Sequence, residues 1–533
     1  MLVFGNDDFS ELKENLSYYM DFSSSDYNKT KLNNSSLKYS KNLILVVGSS
    51  QSNYLSDSLL INSLKELNQT KNLIVLFFNR PDLIKKLGFA NVLLYAYDSH
   101  PFCQANMAQV IAGAVVPKGK IQPVSLTSNF LSPGFNKINR FRYTIPEAAG
   151  FNSFEFDKID SLVEQAIYLG ATPGAQVLAA KNGKVFFYKS YGYHTYSKRQ
   201  KVNDFDIYDL ASITKVAATT LTAMKLYEQD SIHLEDSIKY YIDDTINCTI
   251  KNHQLLDFFI HKTGMPPDMP ILQYISYQDS ATKRYDKYYK EKKDSVYTIK
   301  VADNYFLRKD YLDSVVASLY SLEIDTTKPY IYSDVNFNII YDALLRKLPV
   351  SYKKFVYSNF YNPLQLRTTC FLPLERFNER RIAPTQNDKY WRRQLLRGIP
   401  HDESAALYGG IAGNAGLFSN AIDLAVLFQM LNNGGVYAGQ KVLEKETIEK
   451  FIYPTENSSR GLGFSRKNGG YYGHSGFTGC VVWANPQTDF IFVFLSNSIH
   501  PKATNKKLKR MNIRSQVLDL IWAAYQPGAL KLE

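Results

Sequence analysis

The chain contains few cysteines: there are 4 in 533 residues, and they lie far apart at Cys103, Cys248, Cys370 and Cys480. Because no two of them form a C-x-x-C pair, neither a zinc site nor a disulfide framework is expected, and isolated core thiols are the simplest interpretation. No apolar run approaches the roughly 18 residues that span a membrane, so no integral membrane segment is predicted. The first residues also lack the basic and apolar regions of a secretory signal.

Glycine (28) and proline (20) are too scarce for a fibrous or low-complexity protein. Hydrophobic residues make up 45% and charged residues 21%, which is typical of a globular chain, and this length predicts more than one core. The formal charge of +12 would suit an anionic partner such as nucleic acid or a cell-wall polymer. Much of the excess lies in two lysine-rich runs, residues 283–293 and 502–510, which favours solvated basic surfaces. No nucleic-acid partner is therefore predicted.

The first 128 residues alternate between strand-like and helix-like patterns. Short apolar runs at 43–47, 73–78 and 92–97 indicate buried parallel strands, whereas 58–67 and 105–114 have helical spacing. The alternation predicts an α/β sandwich domain. It contains neither a G-x-G-x-x-G motif nor a Walker loop, so no nucleotide site is predicted.

A turn-rich, basic stretch around residues 129–150 is interpreted as a linker, and the remainder to residue 528 reads as a second domain. Strands at 174–181 and 184–191 are joined by Asn182-Gly183, the strongest short hairpin signal. A second hairpin is predicted near the C-terminus, across residues 480–495, and helical patterns fill the middle. This order predicts an α+β domain whose terminal strands share one antiparallel sheet flanked by helices.

Ser212-Ile-Thr-Lys215 is an S-x-x-K motif at the start of a predicted helix. At i and i+3 the two side chains lie on one helical face, so the amine can reach and activate the hydroxyl. The helix N-terminus would also favour a developing oxyanion. Four other S-x-x-K matches lie in polar, lysine-rich surroundings, whereas this one precedes small core-forming residues.

Ala211-Ser-Ile-Thr-Lys-Val resembles the nucleophile segment of the serine β-lactamase and penicillin-binding-protein superfamily, in its class C-like branch. The similarity extends through residues 173–185, 410–419 and 472–479 in the family's order, over about 145–528. The resemblance implies a serine acyl hydrolase that works through an acyl-enzyme on Ser212, assisted by Lys215. It implies no cofactor and no metal ion.

Tyr332-Ser333-Asp334 stands where the family has a tyrosine followed two residues later by an amide. The resemblance makes Tyr332 the general base, and we expect Lys215 to lower its pKa. Without the surrounding similarity, Tyr332 would be one tyrosine among 39. Tyr332 would take the proton of Ser212 and return it to the leaving group.

The family's third element is a Lys-Thr/Ser-Gly strand after the tyrosine. Lys262-Thr-Gly264 matches the letters, but it ends a helical segment, with Gly264 predicted at the C-cap. The strand motif is instead His474-Ser475-Gly476, followed by Phe477 in a predicted inner strand. By resemblance, the backbone N–H groups of Ser212 and Phe477 would form the oxyanion hole.

Two departures from the family pattern bear on the substrate. Asp334 replaces an amide and, when ionised, can only accept hydrogen bonds. His474 replaces a lysine that would attract a substrate carboxylate. Both changes argue against efficient antibiotic hydrolysis. No role follows from the sequence for Asn414, where the family has histidine, and residues 401–403 are interpreted as a loop near the cleft rim rather than a metal site.

The N-terminal segments 92–97, 109–114 and 119–125 resemble the C-terminal α/β sandwich of family 3 glycoside hydrolases. In some bacterial envelope proteins a β-N-acetylglucosaminidase of that family precedes a β-lactamase-like domain. The barrel with the glycosidase nucleophile is missing from this sequence, as if it were truncated, so glycosidase activity is not predicted.

The resulting prediction is an envelope-located hydrolase acting on a peptidoglycan-derived peptide, D-amino-acid amide, ester or lactam. A non-catalytic or single-acylation module that binds or senses wall peptides, or a remnant of a glucosaminidase fusion, is the alternative. Nothing in the sequence indicates an oligomeric state.

Overall fold

The computed structural model describes residues 1–4, 7–26, 40–48, 58–117, 140–243, 248–271, 274, 288–454 and 458–526. The chain forms two compact units, residues 1–142 and 143–533. The predicted segment 119–125 and most of the predicted linker lie outside the described residues. The short strand at Arg142–Tyr143 already pairs in the sheet of the larger unit, so ordered structure begins before the predicted linker ends.

The smaller unit is built on five parallel strands in the order β2-β1-β3-β4-β5. The strands are β1 (Leu2–Phe4), β2 (Ser25–Asp26), β3 (Asn42–Val47), β4 (Asn72–Phe78) and β5 (Val92–Ala96). The helices are α1 (Ser10–Ser17), α2 (Ser58–Thr70) and α3 (Pro101–Ile111). Alternate residues of β3 and β4 enter two separate apolar clusters, one with α2 and one with α1 and α3, so helices cover both faces of this sheet.

The larger unit centres on a seven-stranded sheet in the order β19-β20-β21-β22-β7-β8-β6. Its strands are β6 (Arg142–Tyr143), β7 (Gly174–Lys181), β8 (Lys184–Gly192), β19 (Ser465–Lys467), β20 (Tyr471–Ser475), β21 (Val481–Asn485) and β22 (Phe490–Ser496). The β22–β7 pair is antiparallel, so the prediction that strands from both ends of the domain share one sheet is confirmed. The predicted Asn182-Gly183 hairpin joins β7 to β8, and both turn residues have positive φ, as a type I′ turn requires.

Short strands form four small sheets around the central one. They are β9 (Tyr208–Asp209), β10 (Tyr289–Lys290), β11 (Tyr297–Ala302), β12 (Tyr305–Arg308), β13 (Cys370–Phe371), β14 (Asn387–Asp388), β15 (Gln394–Leu395), β16 (Leu417–Ser419), β17 (Val436–Tyr437) and β18 (Gln440–Lys441). The β13-β16-β9 sheet matters most for function, because β9 leads directly into the S-x-x-K segment.

The helices of the larger unit follow the same chain order. They are α4 (Asp157–Tyr168), α5 (Thr220–Glu228), α6 (Leu255–Phe259), α7 (Lys309–Leu319), α8 (Asp334–Leu345), α9 (Tyr352–Val356), α10 (Glu403–Leu407), α11 (Ala421–Asn432), α12 (Lys445–Ile452), α13 (Lys507–Arg510) and α14 (Ile513–Ala523).

Helices lie on both faces of the large sheet because its central strands are buried on both sides. Odd-numbered residues of β7, such as Val177, pack with α4 and α14. Even-numbered residues face α11, and the buried Gln176 accepts a hydrogen bond from Ala421 N–H at the start of that helix. α11 is buried almost all round, which explains its nearly continuous apolar sequence.

Gly413 lies in the loop between α10 and β16, where it packs tightly against the helix α8. A Cβ at Gly413 would lie 2.1 Å from the carbonyl oxygen of Phe337 and 2.6 Å from Tyr341 Cβ. We expect Gly413→Ala to lower the free energy of unfolding by about 1–3 kcal/mol, because one backbone must move.

Chemical denaturation would measure this change against Gly439→Ala. Gly439 meets no atom within 4 Å and has φ of +78°, so its substitution carries only the conformational cost of that φ. Equal destabilisation by both variants would contradict the packing argument.

Candidate active site

The nucleophile segment is a tight turn rather than a regular helix start. Ala211–Ile213 form a 3₁₀ turn and Lys215–Thr219 form a π-helical turn, so the helix predicted over residues 212–228 is wrong in its first part. Ala211 has φ of +46°, and its N–H donates at 2.9 Å to the buried carboxylate of Asp209, two residues earlier. A distant loop holds that carboxylate in place, because His401 N–H donates to its other oxygen. Single π turns often occur at functional sites.

The ammonium group of Lys215 lies at the centre of the site, and its side chain is fully buried. Its Nζ is 2.8 Å from Ser212 Oγ, 2.8 Å from Asp334 Oδ1 and 3.0 Å from the carbonyl oxygen of Asn414. Burial alone would lower the pKa of Lys215. The Asp334 carboxylate and the Tyr332 phenol outweigh burial and raise that pKa above its usual value. Lys215 is therefore a cation that donates a hydrogen bond to Ser212.

Tyr332 lies beside this cation, with its ring centroid 5.5 Å from Lys215 Nζ. The expectation that its pKa is lowered is wrong. Burial raises the pKa of Tyr332 more than Lys215 lowers it, and the Asp334 carboxylate adds to the rise. The phenolate form is therefore scarce at neutral pH in the resting site.

The loop after α6 holds Tyr332 in place. His261 stacks against the Tyr332 ring at a centroid distance of 4.6 Å, and its Nδ1 accepts the Ser333 N–H at 3.1 Å. Burial lowers the pKa of His261 well below its usual value, so the ring is neutral. His261 therefore orients the tyrosine segment as a neutral hydrogen-bond acceptor.

The Lys262-Thr-Gly264 sequence lies in this supporting loop and not on a strand. The predicted C-cap at Gly264 is wrong, because His261 has the left-handed conformation (φ +59°) and Lys262 N–H reaches back to the Asp257 carbonyl at 2.9 Å. Gly264 serves a different contact, since a Cβ there would lie 2.7 Å from the carbonyl oxygen of Asp325.

Asn414, for which the sequence suggested no role, joins the polar groups around Lys215. Its carbonyl accepts from Lys215, while its Nδ2 lies 3.0 Å from Ser404 Oγ, 3.1 Å from Asp402 Oδ1 and 3.4 Å from Asp334 Oδ2. One residue thus orients the cation through its backbone and the carboxylates through its amide. Its only sequence signal was its place in the glycine-rich family segment.

The third motif lies at the end of β20. His474 is buried, and its Nδ1 donates to the carbonyl oxygen of Ser475 at 2.9 Å, which leaves Nε2 without a proton. Burial, together with Lys215 and Arg460, lowers the pKa of His474 well below its usual value. His474 is therefore a neutral group, and its Nε2 has no hydrogen-bond partner in the described part of the chain.

The strand end closes directly onto the nucleophile turn. A Cβ at Gly476 would lie 2.4 Å from the carbonyl oxygen of Leu210, so only glycine allows this approach. Phe477 follows in a turn that includes Gly479 at φ of +110°, and the next strand begins at Val481. The inner strand predicted from Phe477 therefore starts four residues later, because the chain must first reverse direction.

Residues 401–403 also line the cleft. The exposed Phe477 ring stacks on His401 with a centroid distance of 5.2 Å, and His401 N–H donates to Asp209 Oδ2 at 2.7 Å. Asp209 therefore fixes both the nucleophile turn and the loop under Phe477. Burial raises the pKa of Asp209 to about 6, although its two N–H donors favour the charged form.

The cleft has a volume of about 770 Å³. It is lined by Ser212, Tyr332, Asp334, His474, Ser475, Gly476 and Phe477. Every sequence-predicted site residue therefore lines it except Lys215, which lies directly beneath Ser212. Among the described residues no group of three or more His, Cys, Asp or Glu side chains could hold a metal ion.

Arg460 also lines the cleft, and the sequence analysis missed it. Its guanidinium carbon lies 5.9 Å from the Tyr332 ring centroid, and Nη1 is 3.4 Å from Tyr330 Oη. Nε and Nη2 are buried without a partner among the described residues. No local sequence motif marks this arginine.

The antiparallel sheet with flanking helices and the Ser212–Lys215 pair facing a cleft define a fold of the β-lactamase and transpeptidase type. The Beta-lactamase family model matches residues 159–514, and the chain belongs to this family of serine hydrolases. Among the helices that the structure describes, none has the length and apolarity needed to cross a membrane.

Curated relatives carry a common name. The "Putative D-alanyl-D-alanine carboxypeptidase" of Escherichia coli O157:H7 is 29% identical over 428 residues, which cover 71% of this chain and 92% of that protein. A protein of the same name from Salmonella enteritidis PT4 is 27% identical over 405 residues, covering 68% and 87%.

Solved structures share the fold. The octameric penicillin-binding protein homologue from Pyrococcus abyssi matches with a TM-score of 0.51 at 18% identity, over 70% of this chain and 79% of that one. D-amino acid amidase from Ochrobactrum anthropi SV3 matches with a TM-score of 0.50 at 13% identity, over 69% and 98%.

The Lys215–Tyr332 pair must lose one proton before either group can accept the proton of Ser212. Because the pKa values of Lys215 and Tyr332 are both raised, the fraction of protein in which the pair has lost one proton increases with pH through the neutral range. We expect the second-order rate constant of fluorophosphonate labelling to rise about tenfold per pH unit there.

The matched variant is Asp334→Asn. The carboxylate raises the pKa of both Lys215 and Tyr332, so its removal lowers both, and the labelling profile should move to lower pH. A profile that is flat between pH 6 and 9, or one that Asp334→Asn leaves in place, would contradict this assignment.

Proposed function

We propose that the larger unit is a serine acyl hydrolase that forms an acyl-enzyme on Ser212. The contact that carries the proposal is the 2.8 Å distance from Lys215 Nζ to Ser212 Oγ at the floor of an open cleft. Ser212 Oγ attacks a substrate carbonyl, the amine or alcohol leaves, and water hydrolyses the ester.

Proton transfer is assigned to Tyr332 with Lys215 as its electrostatic partner. Once the pair has lost one proton, Tyr332 accepts the proton of Ser212 and returns it to the leaving group. Lys215 holds the phenolate and orients Oγ. The neutral states of His261 and His474 leave Lys215 and Arg460 as the cations next to Tyr332.

The oxyanion is assigned to the backbone N–H groups of Ser212 and Phe477. The contact of Gly476 with Leu210 supports this assignment, because it brings the end of β20 against the nucleophile turn. Such donors act on charge that develops only in the transition state, and each contributes about 3 kcal/mol.

The substrate is a peptide that ends in a D-amino acid with a free carboxylate. The names of the curated relatives support this substrate class and a cell-envelope location. Arg460 supports it independently, because a half-buried arginine whose Nε and Nη2 have no partner among the described residues is suited to bind a carboxylate with two parallel hydrogen bonds. Arg460 would thus replace the lysine whose position His474 occupies.

The class C-like assignment is part of the same proposal, supported by the tyrosine motif Tyr332-Ser333-Asp334. For the smaller unit we propose a relationship to the C-terminal sandwich of family 3 glycoside hydrolases. The parallel sheet with helices on both faces supports it, and no glycosidase activity is assigned to this unit.

Ser212→Ala tests the acyl-enzyme. Purified wild-type protein should be labelled by a fluorescent penicillin and by a fluorophosphonate, and the variant by neither, because the attacking oxygen is absent. The penicillin label should leave the wild-type protein with time, whereas the phosphonyl-serine formed by the fluorophosphonate should persist. Equal labelling of both proteins would refute Ser212 as the nucleophile, and a penicillin label that never turns over would favour a single-acylation receptor.

Arg460→Gln tests the carboxylate site. We expect kcat/KM for an N-acylated D-alanyl-D-alanine to fall about 10- to 100-fold, since a charge-assisted hydrogen bond contributes about 1.5–3 kcal/mol. The value for the corresponding C-terminal carboxamide should change less than threefold.

Arg466→Gln is the matched control. Arg466 lies six residues further on, donates to the Ile452 carbonyl and does not line the cleft. Equal losses for acid and amide in the Arg460 variant would assign it a structural role only.

A further inference from the structure

The lysine-rich run at 502–510 forms part of the catalytic face of the larger unit. Lys502, Lys506, Lys509 and Arg510 are exposed, and we call these four residues the basic rim. Lys507 differs from them, because its Nζ donates to the Leu169 carbonyl at 2.8 Å and so has a structural partner.

The cations of the basic rim lack ion-pair partners among the described residues, although Asp402 and Glu403 line the same cleft. Exposed lysines elsewhere do form ion pairs, such as Lys290 with Asp294 and Lys445 with Glu449. A cluster of like charges without ion-pair partners repels itself and attracts anions, so it produces a local positive potential.

The rim is continuous with the cleft that contains Ser212. Lys506 and Lys509 line that cleft, and Lys506 Nζ lies 4.4 Å from the centroid of the Phe477 ring. Phe477 in turn follows the Gly476 contact with the nucleophile turn. An anion held at the basic rim is therefore next to the entrance of the reactive site.

We propose that the basic rim binds a polyanionic cell-wall polymer, whose negative charges are carboxylates or phosphodiesters, and presents its acyl groups to the cleft. Each exposed lysine binds an anion only weakly, because solvent and salt screen the interaction. A polymer that contacts several cations at once gains from effective concentration, whereas a single small anion does not. The identity of the polymer as a wall component rests on the proposed function, but its binding does not.

The position of the rim favours such a polymer over nucleic acid or a lipid surface. The cations border the cleft of a hydrolase, so a bound chain with acyl or peptide branches would supply substrate to Ser212. A duplex or a bilayer would contact the same charges without placing an acyl group at the serine. These two classes of partner are therefore tested as competing outcomes.

The experiment uses the full chain with Ser212→Ala, so that binding is measured without turnover. In this background Lys502, Lys506 and Lys509 are changed together to Gln. A matched variant changes Lys292, Lys354 and Lys467 to Gln, which removes the same charge from exposed lysines that do not line the cleft. Co-sedimentation with purified peptidoglycan sacculi and retention on immobilised poly(glycerol phosphate) measure affinity at 50 and 300 mM NaCl.

We expect the rim variant to bind at least one of the two polymers about tenfold more weakly than its parent at 50 mM NaCl. Its loss of affinity between the two salt concentrations should also be smaller. The matched variant should bind within twofold of the parent. Preference for sacculi would identify carboxylates as the ligand, and preference for poly(glycerol phosphate) would identify phosphodiesters.

The proposal is overturned if the two triple variants bind equally. It is also overturned if a 30-base-pair duplex or phosphatidylglycerol vesicles bind the parent more tightly than both polymers. If the rim variant fails to fold, Lys506→Gln alone replaces it, with a loss of about threefold expected.

In the active background, turnover of a small uncharged ester should be the same for the matched variant and wild type, because none of its three lysines lines the cleft. Equal labelling of wild type and Ser212→Ala would refute the acyl-enzyme while leaving the polymer-binding result intact. The two proposals therefore fail separately.

Discussion

The larger unit depends on keeping one fully buried ammonium charged. An isolated charge removed from water is strongly unfavourable, so Lys215 needs partners supplied by the fold. Those partners come from three separate parts of the chain: the Ser212 hydroxyl, the Asp334 carboxylate and the Asn414 carbonyl. If any of these segments shifts, the ammonium loses a contact that water cannot replace. The fold and the chemistry of the site are therefore fixed by the same interaction.

The carboxylate in this arrangement changes the character of the site. An amide at position 334 would offer both a donor and an acceptor, whereas Asp334 offers acceptors only and holds Lys215 in its charged form. The negative charge is felt nearby, since burial and the Asp334 and Asp402 carboxylates raise the pKa of Asp268 to about 6. Arg460 has the opposite charge and lies over Tyr332. The cleft thus has acidic and basic groups, which suits a substrate with charge of its own.

Much of the architecture could be predicted from the sequence because it follows from local residue patterns. The Asn182-Gly183 turn and the apolar strands predicted the central sheet. The order of the family motifs predicted that Ser212 and Tyr332 belong to one site, and both line the cleft. What the sequence could not provide depends on distant contacts. Ala211 adopts its left-handed conformation because of Asp209 and the loop beyond it, so a helix start was predicted in error. The sign of the Tyr332 pKa shift depends on burial, which no short pattern reports.

No sequence motif predicted the contribution of two site residues, Arg460 and Asn414. Each acts through a position that only the assembled fold creates: one above the Tyr332 ring, the other between two carboxylates. Conversely, Lys262-Thr-Gly264 matches the Lys-Thr/Ser-Gly motif in sequence but lies in the loop after α6 and not on a strand of the site. A three-letter match identifies this motif only when the flanking pattern predicts a strand, and the segment before Lys262 is helical.

The pairing of β7 with β22 has a consequence for biosynthesis. β7 is made early, yet its partner, whose register sets Val177 opposite Phe494, is among the last strands to be translated. The strand that carries His474 joins the sheet only through β21 and β22. The wall of the cleft opposite the serine turn is therefore completed only after β22 has been made, and such non-local closure is slow.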